Sequence, residues 1–137
     1  MIKPEIVKNI AILKLLLNIG DKDLVVGAGS ALVMYNLRDS TSDIDIAVDH
    51  NVWNIAIDKL KIPPYYNKEY DVNIIEAKFI DADIHLDPVM MKLESRVIEG
   101  VNCLSPKELL KQKKAMNREK DQKDIAILEE YIAKHGG

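Results

Sequence analysis

The 137-residue sequence contains one cysteine, one tryptophan and one phenylalanine, with six glycines and five prolines. A lone cysteine excludes an internal disulfide and a cysteine-rich zinc site. Cys103 is therefore read as a small buried hydrophobe, which suits a reducing, cytoplasmic setting. So little glycine and proline excludes a collagen-like or low-complexity chain. No long apolar run occurs. Lys14 interrupts Ile10–Leu17, the stretch is far shorter than the roughly 20 residues of a membrane helix, and no small-residue cleavage site follows it. No membrane span or export signal is expected. Nor is there an excess of positive charge. Lys+Arg number 19 against 22 Asp+Glu, a net of −3, which excludes a protein whose main task is to coat nucleic-acid phosphates.

Forty-seven per cent of the residues are hydrophobic, enough at this length for one domain with its own core. Ile6, Ile10, Leu13 and Leu17 recur at helical spacing, with Gly20 as the stop. Leu24–Val26 reads as a buried strand running into Gly27-Ala28-Gly29-Ser30, followed by a short helix over Ala31–Leu37. Asp43–Asp49 alternates with the period of a half-buried strand. Asn51–Leu60 has helical spacing, with Trp53 in the core, and Pro63-Pro64 ends it. Val72–Ile75 and Lys78–Leu86 read as strands, the second with Asp81, Asp83, His85 and Asp87 on one face. Val97–Leu104 reads as a turn at Glu99-Gly100 leading into a short strand. Ser105 caps a helix that carries Pro106 at its first position and Glu108 closing a capping box, and that runs to about Asn117. A last helix spans about Lys120–Lys134. Strands interleaved with helices predict an α+β fold: one domain over 1–137, with a mixed sheet and its helices in 1–104 and a helical tail in 105–137.

Asp43 and Asp45 lie two apart on a predicted strand. They project from one face, roughly 6.6 Å apart along it, while Ile44 and Ile46 point to the core. Like charges so placed repel unless a cation lies between them. With Asp83 from a second strand they make an oxygen-rich pocket suited to Mg²⁺ and to phosphoryl transfer. Asp81 and Asp87 share the face of Asp83 and are the alternatives for the third carboxylate. A bare Asp-x-Asp is more often a solvated sheet face, so its context carries the argument. The glycine turn ends thirteen residues before Asp43, where glycines admit an anion close to the backbone. Leu32 stands where a dinucleotide fingerprint needs its third glycine. Ile44 and His50 stand where an EF-hand loop starting at Asp39 needs glycine and glutamate.

Val25-Val26-Gly27-Ala28-Gly29-Ser30-Ala31-Leu32, followed by Arg38-Asp39-Ser40-Thr41-Ser42-Asp43-Ile44-Asp45, resembles the signature of the nucleotidyltransferase (DNA polymerase β-like) superfamily. The spacing is closest to that of its small single-domain members, the minimal nucleotidyltransferases and AbiEii-type toxins of toxin–antitoxin pairs. Leu104-Ser105-Pro106, Leu109-Leu110, Lys113, Ala115, Arg118-Glu119-Lys120-Asp121 and Asp124 are similar to the tail of that group. The likeness spans about Leu24–Leu128. It departs from the family at Ala28, where a glycine is usual.

The resemblance implies transfer of a nucleoside monophosphate from an NTP to a hydroxyl acceptor, with pyrophosphate leaving. It implies Mg²⁺, as two ions with Mn²⁺ as a substitute, on Asp43, Asp45 and Asp83. It places Gly27, Gly29 and Ser30 at the phosphates, Ser30 through its hydroxyl, and Asp83 as acceptor of the hydroxyl proton. Arg38, Lys113, Arg118 and Lys120 are candidates to reach the triphosphate. The alternatives are an Arg38 salt bridge to Asp39 or Asp43, and pairing of the tail cations with Asp121 and Asp124. His85 either orients a carboxylate or is an ordinary strand histidine. Tyr65 and Tyr66 either stack on a base or belong to a packed loop, the latter preferred. The acceptor, whether an RNA end, a protein hydroxyl or a small molecule, stays open. So do a catalytically silent binding or antitoxin-like role and a metal-dependent phosphohydrolase.

Residues 107–124 carry seven basic and four acidic groups, a net of +3, which leaves −6 for the rest of the chain. The length leaves no room for a separate acceptor-binding domain. Acceptor choice then falls to the tail, to the Pro63–Tyr70 loop, or to another subunit, either a second copy in a homo-oligomer or a partner protein.

Overall fold

A computed structural model describes residues 1–137. The first helix, α1 (Lys3–Leu17), buries the four residues that its spacing selects: Ile6, Ile10, Leu13 and Leu17. It ends on Asn18 in the left-handed conformation, two residues before the expected Gly20. Asparagine tolerates that conformation well enough to close a helix. Strand β1 (Val25–Gly27) leads directly into α2 (Ala28–Met34), which starts three residues earlier than predicted. The glycine-rich segment is thus the first turn of the helix and not a loop before it. Strand β2 (Ile44–Val48) and helix α3 (His50–Leu60) follow, with Asp49 capping the helix by accepting from the Val52 N–H.

Next come the hairpin of β3 (Tyr65–Asn67) and β4 (Val72–Ala77), then β5 (Ala82–Leu86). The expected packed loop at Tyr65 and Tyr66 is instead an edge strand, with both rings exposed. Pro63-Pro64 holds the chain extended there, and an edge strand has N–H groups to spare. Strands β6 (Ser95–Ile98) and β7 (Val101–Leu104) form a second hairpin. Glu99 and Gly100 form its two-residue turn, and both have positive φ. The helical tail is α4 (Pro106–Met116) and α5 (Gln122–His135), which pack on one another. Ser105 caps α4 through its hydroxyl, but the reciprocal half of the expected capping box is absent. The Ser105 N–H donates to the Glu94 carbonyl, so the Glu108 carboxylate turns to Lys111.

The seven strands make one mixed sheet in the order β3-β4-β5-β2-β1-β7-β6. Strand β2 runs parallel to β5 and antiparallel to β1, and β1 runs parallel to β7. Ile44, Ile46, Ile75 and Ile84 point to one face of the sheet and are fully buried. They join α1, α2 and α3 in one contiguous cluster of 29 buried residues, so the chain folds as a single α+β unit. Trp53 and Cys103 belong to this cluster as expected, and burial pushes the Cys103 thiol up to about 12. No helix is long and apolar enough to cross a membrane. The core face fixes the strand register, because a slip of one residue would exchange the isoleucines for the aspartates.

Candidate active site

The face opposite the core carries the polar residues of the central strands. In the parallel ladder Asp45 lies directly beside Asp83, and Asp43 stands one residue before β2 begins. A carboxylate oxygen from each of Asp43, Asp45 and Asp83 lies within 4.8 Å of the other two. Asp81 and Asp87, the alternatives to Asp83, are outside this group, although Asp87 lines the same cleft as Asp45. Asp81 is exposed, in the left-handed conformation that closes a 3-10 turn. Asp87 accepts from the Met90 N–H. Alternation on β5 assigns all three aspartates to one face, but the strand starts only at Ala82, so Asp81 lies outside it.

The environment disfavours charge on this cluster. Burial, then the neighbouring Asp43 charge, lift the Asp45 carboxyl to about 6, while His85 pulls the other way. Asp83 is raised by burial and by Asp43, again with His85 opposing, and Glu76 adds to the rise. Glu76 is a fourth acidic residue that periodicity did not single out. The β4–β5 register puts it directly opposite Asp83. Its signal in the sequence is its place in the Val72–Ala77 alternation, but that signal is empty until the strand's partner is known. His85 lies with Nδ1 3.1 Å from the Ile46 carbonyl. The His85 ring lines the cleft beside Asp45.

The glycine turn holds the cluster from below. The fully buried Ser30 hydroxyl donates to the Gly27 carbonyl at 2.7 Å and accepts the Asp45 N–H at 3.1 Å. The expected phosphate contact of this hydroxyl is therefore not what the structure has: both its bonds tie the turn to the Asp45 strand. Gly29 is also buried, and its lack of a side chain serves a different neighbour. A Cβ there would stand 2.2 Å from Nη1 of Arg38. The guanidinium packs against the glycine Cα, so a side chain there would have to displace it. Ala28 has φ of +49°, a conformation that is strained for any residue with a Cβ. Gly27 and Ala28 are the parts of the turn that face the open site.

A cationic group lies across from the carboxylates. Arg38 Nη2 donates to Asp124 at 2.8 Å, in place of the expected bridge to Asp39 or Asp43. Lys113 Nζ lies 3.2 Å from Asp124 and 3.5 Å from Asp121. Arg118 grips Asp121 with Nε at 2.8 Å and Nη2 at 3.1 Å. The expected pairing of Lys113 and Arg118 with these aspartates is thus present, whereas Lys120 is exposed and forms no salt bridge. Asp121 and Asp124 are buried, and the Arg118 hydrogen bonds hold the Asp121 carboxyl well below the usual carboxylate range. Three cations and two anions leave this network a net of +1. Its Lys113 is close enough to favour the charged form of Asp45.

A cleft of about 530 Å³ is lined by Asp45 of the first group and Arg118 of the second. Its floor is Gly27, Asp45, Ala47 and His85 on the sheet, and α4 walls it through Gln112 and Met116. Tyr70, in the turn of the β3–β4 hairpin, reaches across to Arg118, whose Nη1 donates to the phenolic oxygen at 3.3 Å. A volume of this size holds one small ligand with a charged end. No family model, curated protein or solved structure matches this chain.

Proposed function

We propose that the chain is a Mg²⁺-dependent nucleotidyltransferase of the DNA polymerase β-like type, moving a nucleoside monophosphate from an NTP to a hydroxyl acceptor with release of pyrophosphate. The observation that carries this reading is the convergence of Asp43, Asp45 and Asp83 within 4.8 Å, with Asp45 lining a cleft that Arg118 also lines. A donor set made only of carboxylate oxygens suits Mg²⁺, or Mn²⁺, and not a soft metal. Burial and the neighbouring Asp43 charge raise the Asp45 carboxyl, and a cation bound there would offset both. Asp43, Asp45 and Asp83 would hold the metal, which when bound supplies Lewis-acid neutralisation of charge on the phosphoryl oxygens.

The chain's own residues have these roles. Ser30 holds the Asp45 backbone so that its carboxylate keeps its place beside Asp83. Lys113 and Arg118, fixed by Asp121 and Asp124, present positive charge to the phosphates. The acceptor oxygen bonds to the α-phosphorus, the bond from that phosphorus to the β-phosphate oxygen breaks, and pyrophosphate leaves with the electron pair. Asp83 takes the proton that the acceptor hydroxyl loses.

The test is pyrophosphate release from each of the four NTPs with Mg²⁺, beside an NTP-dependent thermal shift. Asp43→Ala and Asp45→Ala should each lower the release by at least about a thousandfold, the scale of losing a main electrostatic group, with the circular dichroism spectrum unchanged. Wild-type protein that gives neither thermal shift nor pyrophosphate overturns the reading in favour of a silent binding protein. Orthophosphate in place of pyrophosphate overturns it in favour of a hydrolase.

A further inference from the structure

We propose that Tyr70 is the specificity-determining residue of the cleft: its ring is the platform on which the nucleobase stacks, so that the site takes a nucleoside triphosphate over a bare polyphosphate. This rests on the nucleotidyltransferase reading and assigns the part of the substrate that the carboxylates and cations leave unassigned.

The tyrosines that the sequence singles out, Tyr65 and Tyr66, lie on the edge strand and do not line the cleft. Tyr70 does line it. It is 53% exposed and pairs with no other aromatic ring. Met116, 48% exposed, lines the same cleft from α4. Two large side chains thus leave apolar surface open to water along the cleft, and Asp45, Asp87 and His85 line it from the sheet. The phosphate end of a ligand belongs with the metal-binding carboxylates and Lys113. Its other end then reaches the Tyr70–Met116 rim, where an aromatic face and a polarizable thioether suit a flat, uncharged ring.

The ring is held for this purpose. Arg118 donates to the Tyr70 hydroxyl while its remaining nitrogens are fixed on the buried Asp121. The tyrosine therefore stands at a set distance from the cationic wall, although it comes from the hairpin and not from the tail. Base–aromatic stacking is tolerant of sequence because every base has a π face. Tyr70 accordingly selects for the presence of a base and not for its identity.

The experiment is calorimetric titration of the full chain in Mg²⁺ with ATP, UTP and inorganic tripolyphosphate. Tyr70→Ala should weaken ATP and UTP roughly ten- to a hundredfold and change tripolyphosphate by less than about twofold. Tyr70→Phe, which keeps the ring and loses the bond to Arg118, should retain most of the nucleotide affinity. The proposal is overturned if Tyr70→Ala binds ATP as tightly as wild type, or if it weakens tripolyphosphate as much as ATP, which would mean that Tyr70 acts only by holding Arg118. Those results leave the nucleotidyltransferase reading standing. If wild-type protein binds neither ATP nor tripolyphosphate, that reading falls and Tyr70 falls with it.

Discussion

Asp43, Asp45 and Asp83 on the sheet, and Asp121 and Asp124 on the helical tail, are two carboxylate groups in one small protein, and they are treated in opposite ways. The tail pair is buried among Arg38, Lys113 and Arg118, and Asp121 is held strongly ionised. The sheet group has mainly its own members for neighbours, and Asp45 is pushed up to about 6. The difference teaches how to tell structural acids from candidate ligands. Carboxylates with matched cations are finished within the protein, whereas carboxylates that crowd one another are stable only when something positive is added.

The contrast breaks most visibly on the tail. Asp124→Ala should destabilise the fold by about 3 kcal/mol, because Arg38 loses its carboxylate partner and Lys113 keeps only Asp121. Urea denaturation of the variant against wild type measures it, and a loss under about 1 kcal/mol would mean that water replaces the carboxylate freely.

The sheet group should respond with the opposite sign. Burial and Asp43 lift the Asp45 carboxyl from 3.8 in the unfolded chain to about 6 in the folded protein, so between these values the folded state holds the extra proton. Stability must therefore fall as pH rises from about 4 to 6, by about 3 kcal/mol for a shift of this size, and the penalty persists at neutral pH. Asp45→Asn should remove that fall and be more stable than wild type at pH 7 while losing the activity. Added Mg²⁺ should stabilise wild type and have little effect on the variant. Thermal melts from pH 4 to 8 with and without Mg²⁺ check all three outcomes.

Two smaller substitutions separate the parts of the glycine turn. Gly29→Ala places a methyl on the Arg38 guanidinium, displacing it from Asp124, and should cost about 2 kcal/mol. Ala28→Gly relieves a left-handed alanine and should stabilise by roughly 0.5 kcal/mol, the strain released less the added freedom of the unfolded chain. Differential scanning calorimetry on the pair gives both signs in one experiment.

Local features were legible to the extent that their cause is local. The face of α1, the alternation of β2, the cap at Ser105 and the turn at Glu99-Gly100 all follow from residues within one or two turns of each other. Asp43 and Asp45 were legible for the same reason. Asp83 is the preferred one of three aspartates that alternation puts on one face, and the start of β5 at Ala82 leaves Asp81 outside the strand. For Arg38 the sequence offers a phosphate or the neighbouring Asp39 and Asp43, and does not display a partner 86 positions away. Ser30 was read as a phosphate ligand because its use for the Asp45 N–H depends on how α2 stands against β2. Tyr70 and Glu76 went unmarked, since nothing in their neighbourhoods distinguishes them.

The scarcity of cysteine, of long apolar runs and of positive charge, together with the period-two and helical spacings, determined that this chain builds one α+β core with a pair of aspartates turned away from it. Those patterns act through neighbours in the chain, so they are present before folding. Tertiary structure alone decided which third carboxylate joins the pair, which aspartates are neutralised, and that a tyrosine from one hairpin meets an arginine from the tail. Those outcomes depend on strand register and on helix placement across the sheet, which the hydrophobic core sets for the whole chain at once.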